Sequence, residues 1–171
     1  MFWFVRDGRV RGIMITHVDD LLYGFGPDCK AAKESIVRIT TMVKLKEDAT
    51  PFTYCGKYIE QDILFSITIT MRDATRALHP VHISKARRAE PEAALTPEEI
   101  TEMRSGFGSL GWIARQLRAD IAVDVSLGQQ ATSDPRVRHL IAMNRCIENC
   151  KKDDSVCLKF HHHAVALPRM P

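Results

Sequence analysis

Residues 10–25 read Val-Arg-Gly-Ile-Met-Ile-Thr-His-Val-Asp-Asp-Leu-Leu-Tyr-Gly-Phe, and this stretch decides the fold of the N-terminal half. Two apolar runs flank Val18-Asp19-Asp20, a pattern typical of two strands joined by a tight turn. An earlier apolar run at residues 1–6 is followed by Asp7-Gly8, a strong hairpin signal. The sequence therefore predicts three consecutive strands, with two adjacent carboxylates at the second turn.

A helix is predicted next, over residues 28–43. Apolar or small residues recur at positions 29, 32, 36, 39 and 43, which places them on one helix face, and Asp28 suits the N-cap. Residues 52–70 are rich in strand-forming residues, and Asp62 near their middle predicts a second hairpin. The order β-β-β-α-β-β favours an antiparallel sheet with a helix packed on one face.

The second half of the sequence predicts helices. Thr96-Pro97-Glu98-Glu99 is a helix start with a Thr cap and Pro at the first position. Further helices are predicted over residues 120–130 and from Asp134-Pro135, with a closing strand over residues 155–160. We expect an α+β fold in which residues 1–85 form a sheet domain, 86–96 a linker, 97–160 a helical lobe and 161–171 a tail.

Composition excludes several classes of protein. The chain has 171 residues, of which 45% are hydrophobic and 26% charged, as in an ordinary globular protein. No apolar run approaches the ~18 residues of a membrane span, and the five cysteines come without a signal peptide. We therefore expect an intracellular protein of undefined compartment that does not contact a membrane. The net charge of +3 neither requires nor excludes a nucleic-acid partner.

The candidate chemistry lies at Asp19 and Asp20. Hard cations such as Mg²⁺ or Mn²⁺ take oxygen ligands, usually one or two carboxylates together with substrate phosphates. A tight turn at the end of a sheet would hold two such carboxylates on a rigid support. Turns also accept Asp readily, so the residues alone leave open a solvated hairpin tip without a ligand.

Residues 10–25 resemble the Tyr-Val-Asp-Asp hairpin of reverse transcriptases, particularly those of copia-type LTR retrotransposons. The resemblance continues downstream, in the order and approximate spacing of that family, and covers about residues 10–160. The similar segments are residues 52–59 (Phe-Leu-Gly-Ile-Glu-Ile in the family), 103–114 (Tyr-Arg-Ser-Leu-Val-Gly-Ser-Leu-Met-Tyr-Leu-Ala) and 118–122 (Arg-Pro-Asp-Ile-Ala).

The resemblance implies a partial polymerase palm followed by a helical, thumb-like or connection-like lobe. Asp19 and Asp20 would be catalytic residues that bind Mg²⁺ or Mn²⁺ during RNA-directed DNA synthesis by two-metal nucleotidyl transfer. The partners would be an RNA or DNA primer–template and deoxynucleoside triphosphates, and an RNase H domain follows in the family. Residues that would contact primer or phosphate backbone are Tyr54, Gly56 and Lys57 in a primer-grip-like hairpin, and Arg115 and Arg118 in the lobe.

The sequence departs from the family pattern at several points. His17 stands where the family usually has Tyr, and Ala119 replaces the Pro of the Arg-Pro-Asp block. No segment supplies the fingers or the first palm carboxylate, so we interpret the chain as a fragment. An exposed sheet edge is expected where the missing strands belong.

We predict that the isolated chain does not polymerise, because a two-metal site needs a further carboxylate from an earlier palm strand. A primer-extension assay with Mg²⁺ and the four deoxynucleoside triphosphates measures this, and no extended product is expected. Synthesis that requires both Mg²⁺ and Asp19 would contradict the prediction.

Three alternatives remain open at this point. The first is a non-catalytic nucleic-acid-binding remnant, in which basic helices hold a phosphate backbone. The second is a receiver-type phosphoacceptor domain, which also places two acids after its first strand. The third concerns zinc, since Cys146, Cys150, Cys157 and His161 have a suitable spacing, although buried cysteines are common in protein cores. Trp112 and Phe107 are predicted to be core residues.

Overall fold

The computed structural model describes residues 1–26 and 29–161. The fold is α+β with antiparallel sheets, as predicted, and six α-helices lie within these residues. The chain divides into two compact units. The N-terminal unit consists of Met1–Cys55 and Ile59–Ile67, and the helical unit consists of Gly56–Tyr58 and Thr68–Phe160.

The strands and helices follow in chain order. The strands are β1 (Phe2–Arg6), β2 (Arg9–His17), β3 (Asp20–Phe25), β4 (Phe52–Tyr54), β5 (Lys57–Gln61), β6 (Ile67–Thr70) and β7 (Cys157–Phe160). The helices are α1 (Lys30–Val43), α2 (Arg72–Arg76), α3 (Lys85–Ala89), α4 (Pro97–Gln116), α5 (Ala122–Gln130) and α6 (Val137–Lys152). No helix in the described part of the chain is both long and apolar enough to cross a membrane.

The first sheet has the order β1-β2-β3, and both pairs of neighbours are antiparallel. The three predicted strands and both predicted turns are therefore confirmed. Asp7 and Gly8 adopt the left-handed backbone that a two-residue hairpin turn requires, with φ of +53° and +67°. A receiver domain needs parallel strands joined by helical crossovers, so this antiparallel ribbon excludes that alternative.

Helix α1 supplies buried residues to the N-terminal unit. Its N-cap position is Cys29, whereas the predicted cap, Asp28, lies outside the described residues. Cys29, Ala32 and Ile36 are buried, as the spacing of three and four predicts, whereas Val43 at the end of the predicted face is exposed. The helix thus presents one apolar stripe.

The remaining strands form a second sheet with the order β4-β5-β6-β7. The turn between β4 and β5 consists of Cys55 and Gly56, both with positive φ (+48° and +72°). Asp62 begins the turn that separates β5 from β6, where a hairpin was predicted.

Helix α4 runs through the core of the helical unit. Its Thr96 cap and Glu99 form the predicted capping box, because the hydroxyl accepts from the Glu99 N–H and the carboxylate accepts from the Thr96 N–H. Met103, Phe107 and Leu110 are buried on α4, in steps of four and three. The largest fully buried side chains of this core, on α4 and α6, are Met103, Leu110, Ile113, Leu140, Met143, Ile147, Val137 and Cys150.

Residues 86–96, predicted as a linker, are packed within the helical unit. They include the end of α3, and Leu95 is buried. The Val137 N–H donates to the carbonyl of Ala93 (3.1 Å), and the Leu95 N–H donates to that of Pro135 (3.2 Å). The first turn of α6 leaves N–H groups without partners inside the helix, and this segment satisfies two of them, because the Arg138 N–H also donates to the carbonyl of Pro91 (2.9 Å). The linker interpretation is therefore corrected.

A buried asparagine fixes the chain that precedes α3. The Asn144 side chain on α6 accepts from the Val81 N–H (2.8 Å) and donates to the Val81 carbonyl (2.7 Å). The Lys151 ammonium donates to the carbonyl of Leu78 (2.8 Å), and Leu78 and Ile83 are buried. Because an amide side chain satisfies both backbone groups at once, the extended segment joins the core without leaving a buried polar group unpaired.

We expect the stability of the helical unit to decrease at acidic pH through Glu99. Hydrogen bonds from the Arg87 guanidinium and the Thr96 N–H hold the pKa of Glu99 below its usual range. A lowered folded-state pKa gives stability that is complete above the unfolded-state pKa and is lost as the pH falls through the folded-state value. Denaturant unfolding across this range should give a free energy of unfolding that depends less on pH for Glu99→Gln than for the unmodified chain. Glu98→Gln is the control and should behave like the unmodified chain. Equal pH dependence in Glu99→Gln and the unmodified chain would contradict this assignment.

Candidate metal and nucleic-acid site

The two predicted carboxylates lie at the apex of the β2–β3 hairpin. Val18 and Asp19 form the turn, with Val18 in the left-handed region (φ +54°), and Asp20 is the first residue of β3, opposite His17. All four residues are exposed. The turn is one residue shorter than predicted, because Asp20 is already part of the ladder. The apex therefore offers two neighbouring oxygen-donor side chains to solvent, on a sheet-supported turn.

Tyr54 of the β4–β5 hairpin lies next to this apex within the N-terminal unit. Its ring meets that of His17 edge to face, with centroids 6.5 Å apart and planes at 73°. The Tyr54 hydroxyl is buried and has no hydrogen-bond partner among the described residues. Burial raises the pKa of Tyr54, and the neighbouring Cys55 and Asp20 act in the same direction. Two segments predicted separately, the Asp-Asp hairpin and the Tyr54 strand, thus meet in one place.

Gly56 is required by packing as well as by its backbone. It has a φ of +72°, and a Cβ atom at this position would lie 2.6 Å from Cη2 of Trp112, within the helical unit. Any larger residue would therefore displace the indole ring. Lys57 follows as the first residue of β5 and is half-buried. Contact of Gly56 and Lys57 with a primer remains a prediction.

Arg118 is not available to a phosphate backbone. Its side chain is only 4% exposed, its Nε and Nη2 donate to the Asp120 carboxylate (2.9 and 2.8 Å), and its Nη1 donates to the carbonyls of Cys150 and Asp153 (3.1 and 2.9 Å). The guanidinium thereby satisfies the C-terminal end of α6, where carbonyls lack helical partners. The prediction of Arg118 as a nucleic-acid-binding residue is corrected to a structural role.

Arg115 is exposed, and the structure adds neighbours on the same helix face. Four exposed residues of α4 are spaced four, four and three positions apart and therefore share one helix face: Arg104, Gly108, Trp112 and Arg115. Trp112 is 42% exposed, so its prediction as a core residue is wrong, whereas Phe107 is buried as predicted. Sequence reasoning missed this surface as a whole, and the helical spacing of these four residues is the signal that could have identified it.

The cysteines do not gather a metal site in the described part of the chain. Cys146 and Cys150 are buried on α6, and burial raises the pKa of both thiols, that of Cys146 to about 11. Cys157 is exposed on β7. Among residues 1–26 and 29–161, no group of three or more His, Cys, Asp or Glu side chains is placed to hold a metal ion. Buried, protonated thiols of this kind act as apolar core residues.

Comparison with known proteins adds no relative. No family model, no curated protein and no solved structure matches this chain. The functional assignment therefore depends on the side chains at the β2–β3 apex and on α4.

Proposed function

We propose that this chain is the palm and thumb part of a copia-type reverse transcriptase, an RNA-directed DNA polymerase. The observation that carries the proposal is the exposed pair Asp19 and Asp20 at the apex of a three-stranded antiparallel ribbon. The position of Tyr54 beside that apex supports it, since the hairpin that would hold the primer end adjoins the acids that would hold the metal.

The donor set at the apex fits Mg²⁺ or Mn²⁺. Two carboxylates are the usual protein contribution to such an ion, and phosphates and water supply the rest. When bound, the ion acts as a Lewis acid that stabilises negative charge on the attacking and leaving oxygens. Asp19 and Asp20 would hold it, and the rigid β-ribbon would fix their position. Tyr54 would pack beside the primer end, with its buried hydroxyl as a hydrogen-bond donor.

A second candidate function is nucleic-acid binding without catalysis. The exposed face of α4 favours it, because Arg104 and Arg115 lie three turns apart with Gly108 between them and Trp112 at their side. Guanidinium groups pair with phosphates, a glycine permits close approach of a backbone, and an exposed indole stacks on a base or sugar. The same surface would serve as the thumb face in the polymerase proposal.

Metal titration tests the polymerase proposal. We expect the Asp19→Asn and Asp20→Asn variants to bind Mn²⁺ at least about tenfold more weakly than the unmodified chain, about 1.4 kcal/mol, since each loses one anionic ligand. The free Mn²⁺ signal in electron paramagnetic resonance measures this. Asp7→Asn is the matched control, because Asp7 occupies the turn of the neighbouring hairpin. Equal Mn²⁺ binding in all four proteins would refute the metal site.

Primer–template binding separates the two functions. Arg104→Gln and Arg115→Gln should each weaken binding and reduce the slope of log affinity against log salt by about 1. If Asp19→Asn leaves both Mn²⁺ binding and primer–template binding unchanged while these variants weaken the latter, the non-catalytic function is favoured. If Asp19→Asn abolishes Mn²⁺ binding, the polymerase site is favoured.

A further inference from the structure

His139 takes part in capping the N-terminus of α6. The helix begins at Val137, so His139 is its third residue, and Arg136 is the N-cap. The Arg136 N–H donates to Nδ1 of His139 (3.0 Å), at the position where a capping box has Glu or Gln as the acceptor. A histidine accepts a hydrogen bond only through a ring nitrogen that carries no proton. The cap at the start of α6 therefore depends on the protonation state of one imidazole.

Both ring nitrogens of His139 face N–H donors. Nδ1 faces the Arg136 N–H, and Nε2 lies 3.1 Å from Nε of Arg138, which is also a donor. A neutral imidazole keeps Nδ1 free to accept from the backbone, and the half-exposed Arg138 side chain can turn to solvent. An imidazolium carries a proton on each nitrogen, so it would lose the backbone hydrogen bond and place N–H groups against each other. The geometry therefore favours the neutral form.

The charges around His139 are balanced while its imidazole is neutral. The Glu92 carboxylate accepts from the guanidinium of Arg138, and the Asp134 carboxylate accepts from that of Arg136 (2.9 Å). In the described part of the chain, these four are the charged groups that face the imidazole, from α6, the turn before it and residues 90–96. A charge on His139 would be in excess, and a helix N-terminus also disfavours a cation. Burial, and after it the Arg138 guanidinium, lower the pKa of His139.

The first turn of α6 holds the segment that leads into α4. This segment is residues 91–95, and the Arg138 N–H donates to its Pro91 carbonyl (2.9 Å). An antiparallel bridge also joins Ala94 to Arg136, the N-cap residue. These backbone contacts require the first turn of α6 to be in place. Loss of the cap on that turn therefore weakens the attachment of the segment.

We propose that His139 is a pH-sensitive cap, which holds residues 91–95 against the first turn of α6 when it is neutral and releases them when it is protonated. Because the folded state lowers the pKa of His139, its contribution to stability is complete above the unfolded-state pKa of about 6.5. This contribution is lost as the pH falls through the folded-state value. Glu99 acts at lower pH, since its own pKa lies below the usual range of a carboxyl group. The inference does not depend on the proposed polymerase function.

Hydrogen exchange of the full chain at about pH 7.5 and about pH 5 tests the proposal, with protection factors corrected for the pH dependence of intrinsic exchange. The amides that join the segment to α6 are those of Leu95, Val137 and Arg138. Their protection factors should fall at least about threefold at the lower pH. The Val81 N–H is held by the Asn144 side chain, farther along α6, and should keep its protection. No loss at the three amides, or an equal loss at Val81, would overturn the proposal.

His139→Gln gives the decisive comparison. Glutamine can accept the Arg136 N–H as in a capping box, but it does not titrate. The three amides should therefore have the same protection at both pH values in this variant. His82→Gln removes an exposed histidine from the same unit and is the control, which should lose protection like the unmodified chain. A pH-dependent loss in His139→Gln, or its absence in His82→Gln, would contradict the assignment.

Nuclear magnetic resonance of the unmodified chain gives a second measurement that needs no variant. The His139 imidazole should titrate at the pH at which the three amides lose protection. An imidazole that becomes charged while these amides stay protected would show that the cap does not depend on its protonation, and the proposal would be wrong.

Discussion

Replacing Gly128 with alanine is expected to destabilise the helical unit by about 2 kcal/mol. A Cβ atom at Gly128 of α5 would lie 2.0 Å from Cζ of Phe107 and 2.1 Å from its Cε1. Phe107 is buried in the core, so its ring has no free space into which it can move. The gain in helix propensity from glycine to alanine, up to about 1 kcal/mol, offsets only part of this overpacking. Urea unfolding followed by far-ultraviolet circular dichroism measures the difference.

Gly108→Ala is the matched control for this prediction. Gly108 is also a helical glycine, on α4, but an added Cβ atom there meets nothing within 4 Å. Only the propensity effect remains, so we expect this variant to be more stable than the unmodified chain by up to about 1 kcal/mol. The two substitutions are chemically identical and should change the free energy of unfolding in opposite directions. Equal effects would show that Phe107 does not pack against Gly128.

Arg118→Met is expected to destabilise the helical unit by about 2–3 kcal/mol. Methionine retains most of the buried aliphatic volume but leaves the carbonyls of Cys150 and Asp153 without their donor. Breaking a fully buried ion pair costs about 3–5 kcal/mol. The expected loss is smaller here because the Asp120 side chain is 47% exposed and can be solvated. Chemical denaturation provides the free energy, and hydrogen exchange locates the loss at the C-terminal turn of α6.

Arg115→Met separates this structural role from nucleic-acid binding. Arg115 lies three residues before Arg118 but is exposed, so its substitution should change the unfolding free energy by less than about 0.5 kcal/mol. Primer–template affinity should show the reverse pattern. Arg115→Met should bind primer–template more weakly, whereas Arg118→Met should bind it like the unmodified chain at temperatures where this variant remains folded. Weaker binding by a fully folded Arg118→Met variant would contradict the structural assignment.

Local signals explain what the sequence alone could predict. Asp7-Gly8 and the apolar runs around Asp19 specify the first sheet, because hairpin turns and strand periodicity depend on neighbouring residues. The Thr96 capping box likewise specifies the start of α4 to the residue. These features give the strand order of the ribbon and the place of the two carboxylates.

Tertiary contacts explain what the sequence could not predict. Arg118 lies in a block with a charged, helix-like pattern, and only the approach of the α6 C-terminus shows that its guanidinium is buried. The segment before α4 has the acids and prolines of a linker, but it is packed against the first turn of α6. The proximity of Tyr54 to His17 also joins residues distant in sequence. Each case depends on partners that no local pattern identifies.

The three cysteines of the helical unit can report how often that unit opens. Cys157 is exposed, so an alkylating reagent reaches it in the native state, whereas Cys146 and Cys150 are buried and their raised pKa keeps them protonated. Only the thiolate reacts at a useful rate, so labelling of this buried pair requires α6 to detach from its neighbours. The delay between modification of Cys157 and modification of Cys146 or Cys150 therefore reports how often the helical unit opens.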